Sequence, residues 1–241
     1  MAALLALQGV SRSFGSLRVI DDLSLAVAPG EALGVIGPNG AGKTTALNLM
    51  IGRLRPQRGA VVFDGRDVTA VLPHARCRTG IALTHQIPHP FADLTVFENV
   101  LVGSVFGGGR GERAAYAPGL AALELTGLAP KANTRAGALS LLERKRLELA
   151  RALATGPRVL LLDEIAGGLA EAEVHELVDL IRRVHREGVA IVWIEHIVHA
   201  LRSVVSRLAV INAGRLLTEG APDEVMASHD VQRVYLGIDV Q

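Results

Sequence analysis

Residues 37–45 read GPNGAGKTT, a run that leaves a chain few ways to fold. It fits G-x-x-x-x-G-K-[ST] through Gly37, Gly42, Lys43 and Thr44. An apolar stretch, 32-ALGVIG, precedes it, and a helical pattern, 43-KTTALNLMIG, follows. The spacing predicts a buried strand, a tight loop and a helix in direct succession. Glycines let consecutive backbone N–H groups turn inward around a phosphate chain, and the helix N-terminus adds partial positive charge. Gly37, Pro38, Asn39, Gly40, Ala41, Gly42, Lys43, Thr44 and Thr45 are the candidate nucleotide-binding set. Within it, Lys43 is suited to the β- and γ-phosphates and the Thr44 hydroxyl to Mg²⁺.

The remaining pattern gives that unit its surroundings. Runs 159-VLLLD, 189-VAIVWIE and 208-LAVIN are short and apolar, as strands buried on both faces are. Between the first two, Val174, Leu177, Val178, Ile181 and Val184 follow helical spacing, and Gly188 supplies a stop. Strand–helix–strand alternation predicts an α/β fold with a mostly parallel core sheet. Near the N-terminus, 4-LLALQGV, 17-LRVIDDLSLAV and 60-AVVFDG are separated by turn residues, as an antiparallel sheet would be. The middle reads as helical, 93-DLTVFENVLVGSVF and 120-LAALELTGL, around a loop at 107–119 that holds five glycines and a proline. One domain over 1–241 is expected, with a helical subdomain at approximately 87–155 inserted in the α/β core.

Composition mainly excludes. A formal net charge of +1 gives no electrostatic reason for a nucleic-acid partner. No apolar run approaches the ~20 residues of a membrane span, and the start lacks the features of a signal peptide. A single cysteine, Cys77, rules out an internal disulfide framework and agrees with a reducing compartment. The expectation is an intracellular chain that could still dock on a membrane protein.

The strand 159-VLLLDE ends in adjacent carboxylates, whose side chains point to different sides of the strand end. Asp163 is then the candidate Mg²⁺ ligand, and Glu164 the base that faces an attacking water. The next buried strand ends in WIEH, placing His196 at the carboxyl edge where open α/β sheets bind ligands. Gln86 lies at the exit of the run 81-IALT. His85 and His89 flank it without a further ligand in view, so a zinc site is not expected.

Together these residues carry a resemblance. The order of phosphate loop, glutamine, helical insert, LLLDE and terminal histidine is similar to the ATP-binding subunit of ABC transporters. More narrowly, GPNGAGKTT at 37, THQIPHPFADLTVFENV at 84, RLELARAL at 146, LLDEIAGGL at 161, IEH at 194 and YLG at 235 resemble the subunits of branched-chain amino-acid uptake systems. That resemblance implies a P-loop fold of ABC type and ATP hydrolysis coupled to solute import. It implies Phe14 stacking on adenine, Gln86 linking Mg²⁺ to the membrane partner, Glu164 as base and His196 as the γ-phosphate contact. It also implies permease subunits, a second ATP-binding subunit, an indirect periplasmic or extracellular solute-binding protein, and a peripheral place on the cytoplasmic face of the membrane.

One segment departs from the pattern. Residues 139–148 read LSLLERKRLE, where the family carries a signature near L-S-G-G-Q. In the family the serine and glycine amides bind the γ-phosphate held by the other subunit, so Ser140 belongs to the nucleotide-binding set. Locally, Ser140 and Glu143 fit an S-x-x-E capping box. Leu142 adds bulk where backbone should approach phosphate. A Glu143 carboxylate ~5 Å from an anion costs roughly 3 kcal/mol at an effective dielectric near 20. Ala170 stands where Asp or Asn is usual. The expectation is a heterodimer with unequal sites. Two rivals stay open: a nonhydrolytic nucleotide-gated binding subunit, and a soluble non-transport ATPase of the same fold.

Overall fold

The computed structural model describes residues 2–236, and side chains up to residue 234. In chain order the elements are β1 (Leu5–Phe14), β2 (Leu17–Val27), β3 (Ala32–Ile36), α1 (Lys43–Ile51), β4 (Arg58–Phe63), β5 (Arg66–Asp67), α2 (Pro73–Thr79) and β6 (Ile81–Thr84). Then come α3 (Val96–Val102), α4 (Glu112–Thr126), α5 (Leu141–Ala154), β7 (Val159–Asp163) and α6 (Glu171–Arg186). The chain closes with β8 (Ala190–Ile194), α7 (Val198–Arg202), β9 (Arg207–Asn212), β10 (Arg215–Gly220), α8 (Pro222–Ala227) and α9 (His229–Leu236). These fall into two compact units. One holds the described residues up to Pro73 and from Ala190 on, the other residues 74–189. The YLG stretch at 235 ends at Gly237, outside the described residues.

In the first unit β1 pairs antiparallel with β2 and with β4, and β4 with β5. A second set centres on β3, which pairs parallel with β8 and with β9, while β10 returns antiparallel on β9. Every residue of β3 and β8 is buried. That is what continuous apolar strands covered on both faces require. Arg207, at the start of β9, donates to Glu31 Oε1 at 2.7 Å and to Glu219 Oε2 at 2.6 Å. Burial works to raise the Glu31 carboxyl, but hydrogen bonds from Arg207 and from the Ala28 N–H hold it below its ordinary value.

In the second unit β6 and β7 pair in parallel. Helix α6 buries Val174, Leu177, Val178, Leu180, Ile181 and Val184, the expected stripe with one more leucine. Helices α3, α4 and α5 close on a core that includes Val96, Val100, Leu123, Leu128, Leu139 and Leu147.

The expected loop at 107–119 shrinks to residues 108–111. Gly103–Gly107 is a single π-helical turn, and α4 runs straight through Pro118. A proline at that point removes one backbone donor and crowds the preceding turn. Packing outweighs this, because Ala115, Gly119, Ala122 and Leu123 are all buried. The glycines before α4 are held too, since Arg110 Nη1 donates to the Ala154 carbonyl at 2.9 Å, at the C-terminal end of α5.

Candidate nucleotide site

The phosphate loop sits where β3 ends and α1 begins. Gly37 has φ +154° and Gly42 has φ +103°. A β-carbon on Gly37 would stand 2.0 Å from the Ile211 carbonyl oxygen, and one on Gly42 would stand 2.7 Å from Ile20 Cδ1. Both positions therefore exclude side chains on two grounds, backbone conformation and space. Lys43 is buried at the head of α1, and its Nζ donates to the carbonyls of Gly37 at 2.8 Å and Pro38 at 3.0 Å. Helix α1 carries no acidic residue in its first turn, and no side chain caps it. Thr44 is exposed beside Lys43. An anion at this helix start would meet backbone N–H groups, an ammonium and a hydroxyl, with no carboxylate of the first turn to repel it.

His196 belongs to the same unit. Val35 of β3 pairs with Ile194 of β8. Two residues beyond each partner lie Gly37 and His196, so parallel register brings the loop and the histidine level at the carboxyl ends of neighbouring strands. His196 is exposed, and its N–H donates to the buried Glu195 carboxylate at 3.0 Å. Phe14, at the end of β1, is 45% exposed with the Arg12 guanidinium 5.0 Å from its ring centroid. An open aromatic face of this kind suits stacking.

The second unit repeats the arrangement. Thr84 of β6 pairs with Leu162 of β7, and two residues beyond each lie Gln86 and Glu164. Here the side chains meet: Gln86 Nε2 donates to Glu164 Oε2 at 2.7 Å. Glu164 adopts φ +45°, the left-handed region that side chains other than those of Gly, Asn and Asp avoid. Asp163, the last residue of β7, is half-buried.

The segment at 139–148 resolves as a helix start. Glu143 N–H donates to Ser140 Oγ at 3.3 Å, and Ser140 N–H donates to Glu143 Oε2 at 3.0 Å, which completes the capping box. Two sequence expectations change. Leu142 is 8% exposed and points into the unit, whereas Leu141 is 42% exposed and packs beside Gly168. The added surface bulk is thus Leu141. Glu143 is ion-paired with Lys131. Hydrogen bonds from Lys131 and the Ser140 N–H hold its carboxyl below the usual range, and this pairing offsets part of the repulsion expected for an anion. Lys131 lies 12 residues earlier in a turn, so helical spacing did not reveal the pair. Ala170, at the head of α6, receives its cap from Glu173, whose Oε2 accepts the Ala170 N–H at 2.9 Å.

Sequence reasoning missed the neighbours of Gln86. His85 Nδ1 lies 2.7 Å from Glu148 Oε1, and Lys145 Nζ donates to the Gln86 carbonyl at 2.6 Å. The available signal was three charged residues at threefold spacing on α5, two of them buried.

Residues 20–167 match the family described as ABC transporter. The chain belongs to that family. Across its full length it is 36% identical to the lipopolysaccharide export system ATP-binding protein LptB of Acidithiobacillus ferridurans, with all of both chains covered. It is 34% identical to the high-affinity branched-chain amino acid transport ATP-binding protein BraF of Pseudomonas aeruginosa, over 97% of this chain and 98% of that one. An ATP-binding cassette of an ABC transporter in its ADP conformation superposes with TM-score 0.90 at 27% identity, covering 99% and 100% of the two chains. The chain is therefore an ATP-binding subunit of the ABC transporter family with the P-loop fold of its relatives, and an ATPase. Subunits of this kind work with membrane permease components. Among the described residues, no helix is long and apolar enough to cross a membrane.

Proposed function

We propose that this ABC subunit hydrolyses ATP to drive import of a small solute, of the branched-chain or related amino-acid class, through a membrane permease. Residues 1–241 form its single ATP-binding domain on that reading. The observation that carries the hydrolytic part is the 2.7 Å hydrogen bond between Gln86 and Glu164, which holds a carboxylate at the strand end with its partner amide. The import part is supported by the resemblance to BraF.

In this mechanism Phe14 stacks on the adenine ring, and the loop from Gly37 to Thr45 surrounds the triphosphate. Lys43 leaves the Gly37 and Pro38 carbonyls to bind the β- and γ-phosphates. Glu164 accepts the proton of the attacking water, and His196 donates to the γ-phosphate as negative charge grows on it. Thr44, Asp163 and Gln86 supply an exposed hydroxyl, a carboxylate and an amide oxygen, a donor set of oxygens that suits Mg²⁺. Bound there, Mg²⁺ would neutralise charge on the phosphates. Ser140 serves the triphosphate bound by a second ATP-binding subunit. Leu141 and Glu143 make that contact poorer than a glycine signature would, and Ala170 lacks a side chain that reaches across. A heterodimer with unequal sites follows. The chain then lies at the cytoplasmic face of the membrane, held by the permease, with a solute-binding protein on the far side.

The test is uptake of labelled leucine by vesicles holding the permease and both ATP-binding subunits, with Glu164→Gln as control. Leucine entry that stops in the control supports the reading, and phosphate release without leucine entry refutes the import part. A second reading follows from the 36% identity to LptB over the whole chain. It predicts that the permease partner moves a lipid-linked saccharide outward, and the same vesicles loaded with lipopolysaccharide decide it.

A further inference from the structure

Helix α5 carries Ser140 at its N-cap and three charged residues along one side: Lys145, Glu148 and Arg151. Spaced three apart, they share a face. Lys145 is 3% exposed and Glu148 7%. Charges this deeply buried need partners, and one short segment supplies a partner to each. Lys145 Nζ donates to the Gln86 carbonyl at 2.6 Å. Glu148 Oε1 lies 2.7 Å from His85 Nδ1. Arg151 Nη1 donates to the His89 carbonyl at 2.8 Å and to Glu148 Oε2 at 3.2 Å, with its guanidinium 5.2 Å from the Phe91 ring centroid. Two of these contacts grip main-chain oxygens, so they fix the path of the segment as well as its side chains. Gln86 stands inside the gripped stretch with its amide on Glu164.

We propose that Glu148 is a positioning residue for ATP hydrolysis: by anchoring His85 and Arg151 it holds residues 85–91 on α5, and so holds the Gln86 amide against Glu164. The kinetic part rests on the ATPase reading above, while the grip on residues 85–91 stands without it. Loop and helix then move as one body. A push by a bound partner on the exposed side chains of Ile87 and Phe91 reaches Gln86 and Ser140 together.

Glu148→Gln keeps the volume and removes the charge, and Glu148→Ala removes both. Hydrogen–deuterium exchange on the full-length chain should show residues 85–91 exchanging at least ten-fold faster in both variants, with α1 unchanged within two-fold. Phosphate release by the subunit with its partner subunits should show kcat falling at least ten-fold and KM for ATP moving less than two-fold. Placed on Gln86→Ala, the Glu148→Ala change should lower kcat by less than a further two-fold, because both act through one amide. Unchanged exchange at 85–91 overturns the proposal. So do multiplicative losses in the double variant, or loss of α1 protection in both variants, which would mark Glu148 as a general folding residue. A wild-type chain that releases no phosphate refutes the ATPase reading instead, and the exchange result alone then decides the grip.

Discussion

Gln86 Nε2 and Glu164 Oε2 are 2.7 Å apart, joined by a hydrogen bond between the residues that follow two parallel strands in register. An amide that donates to this carboxylate orients it without supplying charge, and on the proposed reading the carboxylate takes the proton of the attacking water. General bases contribute about 10²–10⁴-fold to rate. Glu164→Gln should therefore lower kcat by at least about 100-fold with ATP affinity retained, read by phosphate release and by titration with labelled nucleotide.

The loop glycines make a stability prediction. Gly37→Ala places a methyl group 2.0 Å from the Ile211 carbonyl oxygen in a left-handed backbone. Strained backbone positions of this sort cost on the order of 1–3 kcal/mol even before a collision is counted. Urea unfolding should show a loss of at least about 2 kcal/mol, whereas Gly40→Ala, with open space around it, should lose less.

The two leucines of the signature segment separate fold from function. Leu142 is buried, so Leu142→Gly should destabilise the chain by about 2–5 kcal/mol through the cavity it leaves. Leu141 is exposed, and Leu141→Gly should cost about 1 kcal/mol or less. Restoring a glycine signature should thus be tried as Leu141→Gly with Glu143→Gln. Phosphate release by the assembled pair should rise, because backbone gains access and a carboxylate is lost.

Acid should weaken the first unit through Glu31. Its folded carboxyl titrates below the ordinary 4.5, held there by Arg207 despite burial. A depressed carboxyl contributes stability above its unfolded value and loses it as pH falls through the folded one. The contribution is present at neutrality and fades below about pH 4.5. Arg207→Gln should lower stability at pH 7 and flatten the acid limb of a plot of thermal midpoint against pH.

Pro118 offers the reverse case. Interior prolines cost a helix roughly 3 kcal/mol. Pro118→Ala in α4 should raise the thermal midpoint, with a gain of about 1–3 kcal/mol in denaturant titrations. This position also shows where reading the sequence stopped. Five glycines and a proline between 107 and 119 carry the local signature of a loop, yet five buried positions on α4 and the Arg110 contact to α5 impose order on most of it. Local preference was outweighed by packing that no window of residues displays. Strands β3, β7, β8 and β9 were legible because continuous apolar runs mean burial on both faces, and the phosphate loop because few residue orders permit its backbone. Ser140 and Glu143 were legible as a cap, their spacing being local. The Lys131 partner of Glu143 and the Glu148 partner of His85 were not, since contacts over 12 and 63 residues follow from tertiary folding alone.

The left-handed backbone at Glu164 bears on how such chains change over time. A β-carbon is unwelcome there, so folding by itself would favour glycine or asparagine at that site. The hydrogen bond from Gln86 and, on the proposed reading, the need for a base keep a long acidic side chain in place. In any descendant released from that demand, position 164 is where drift toward a smaller residue should surface first.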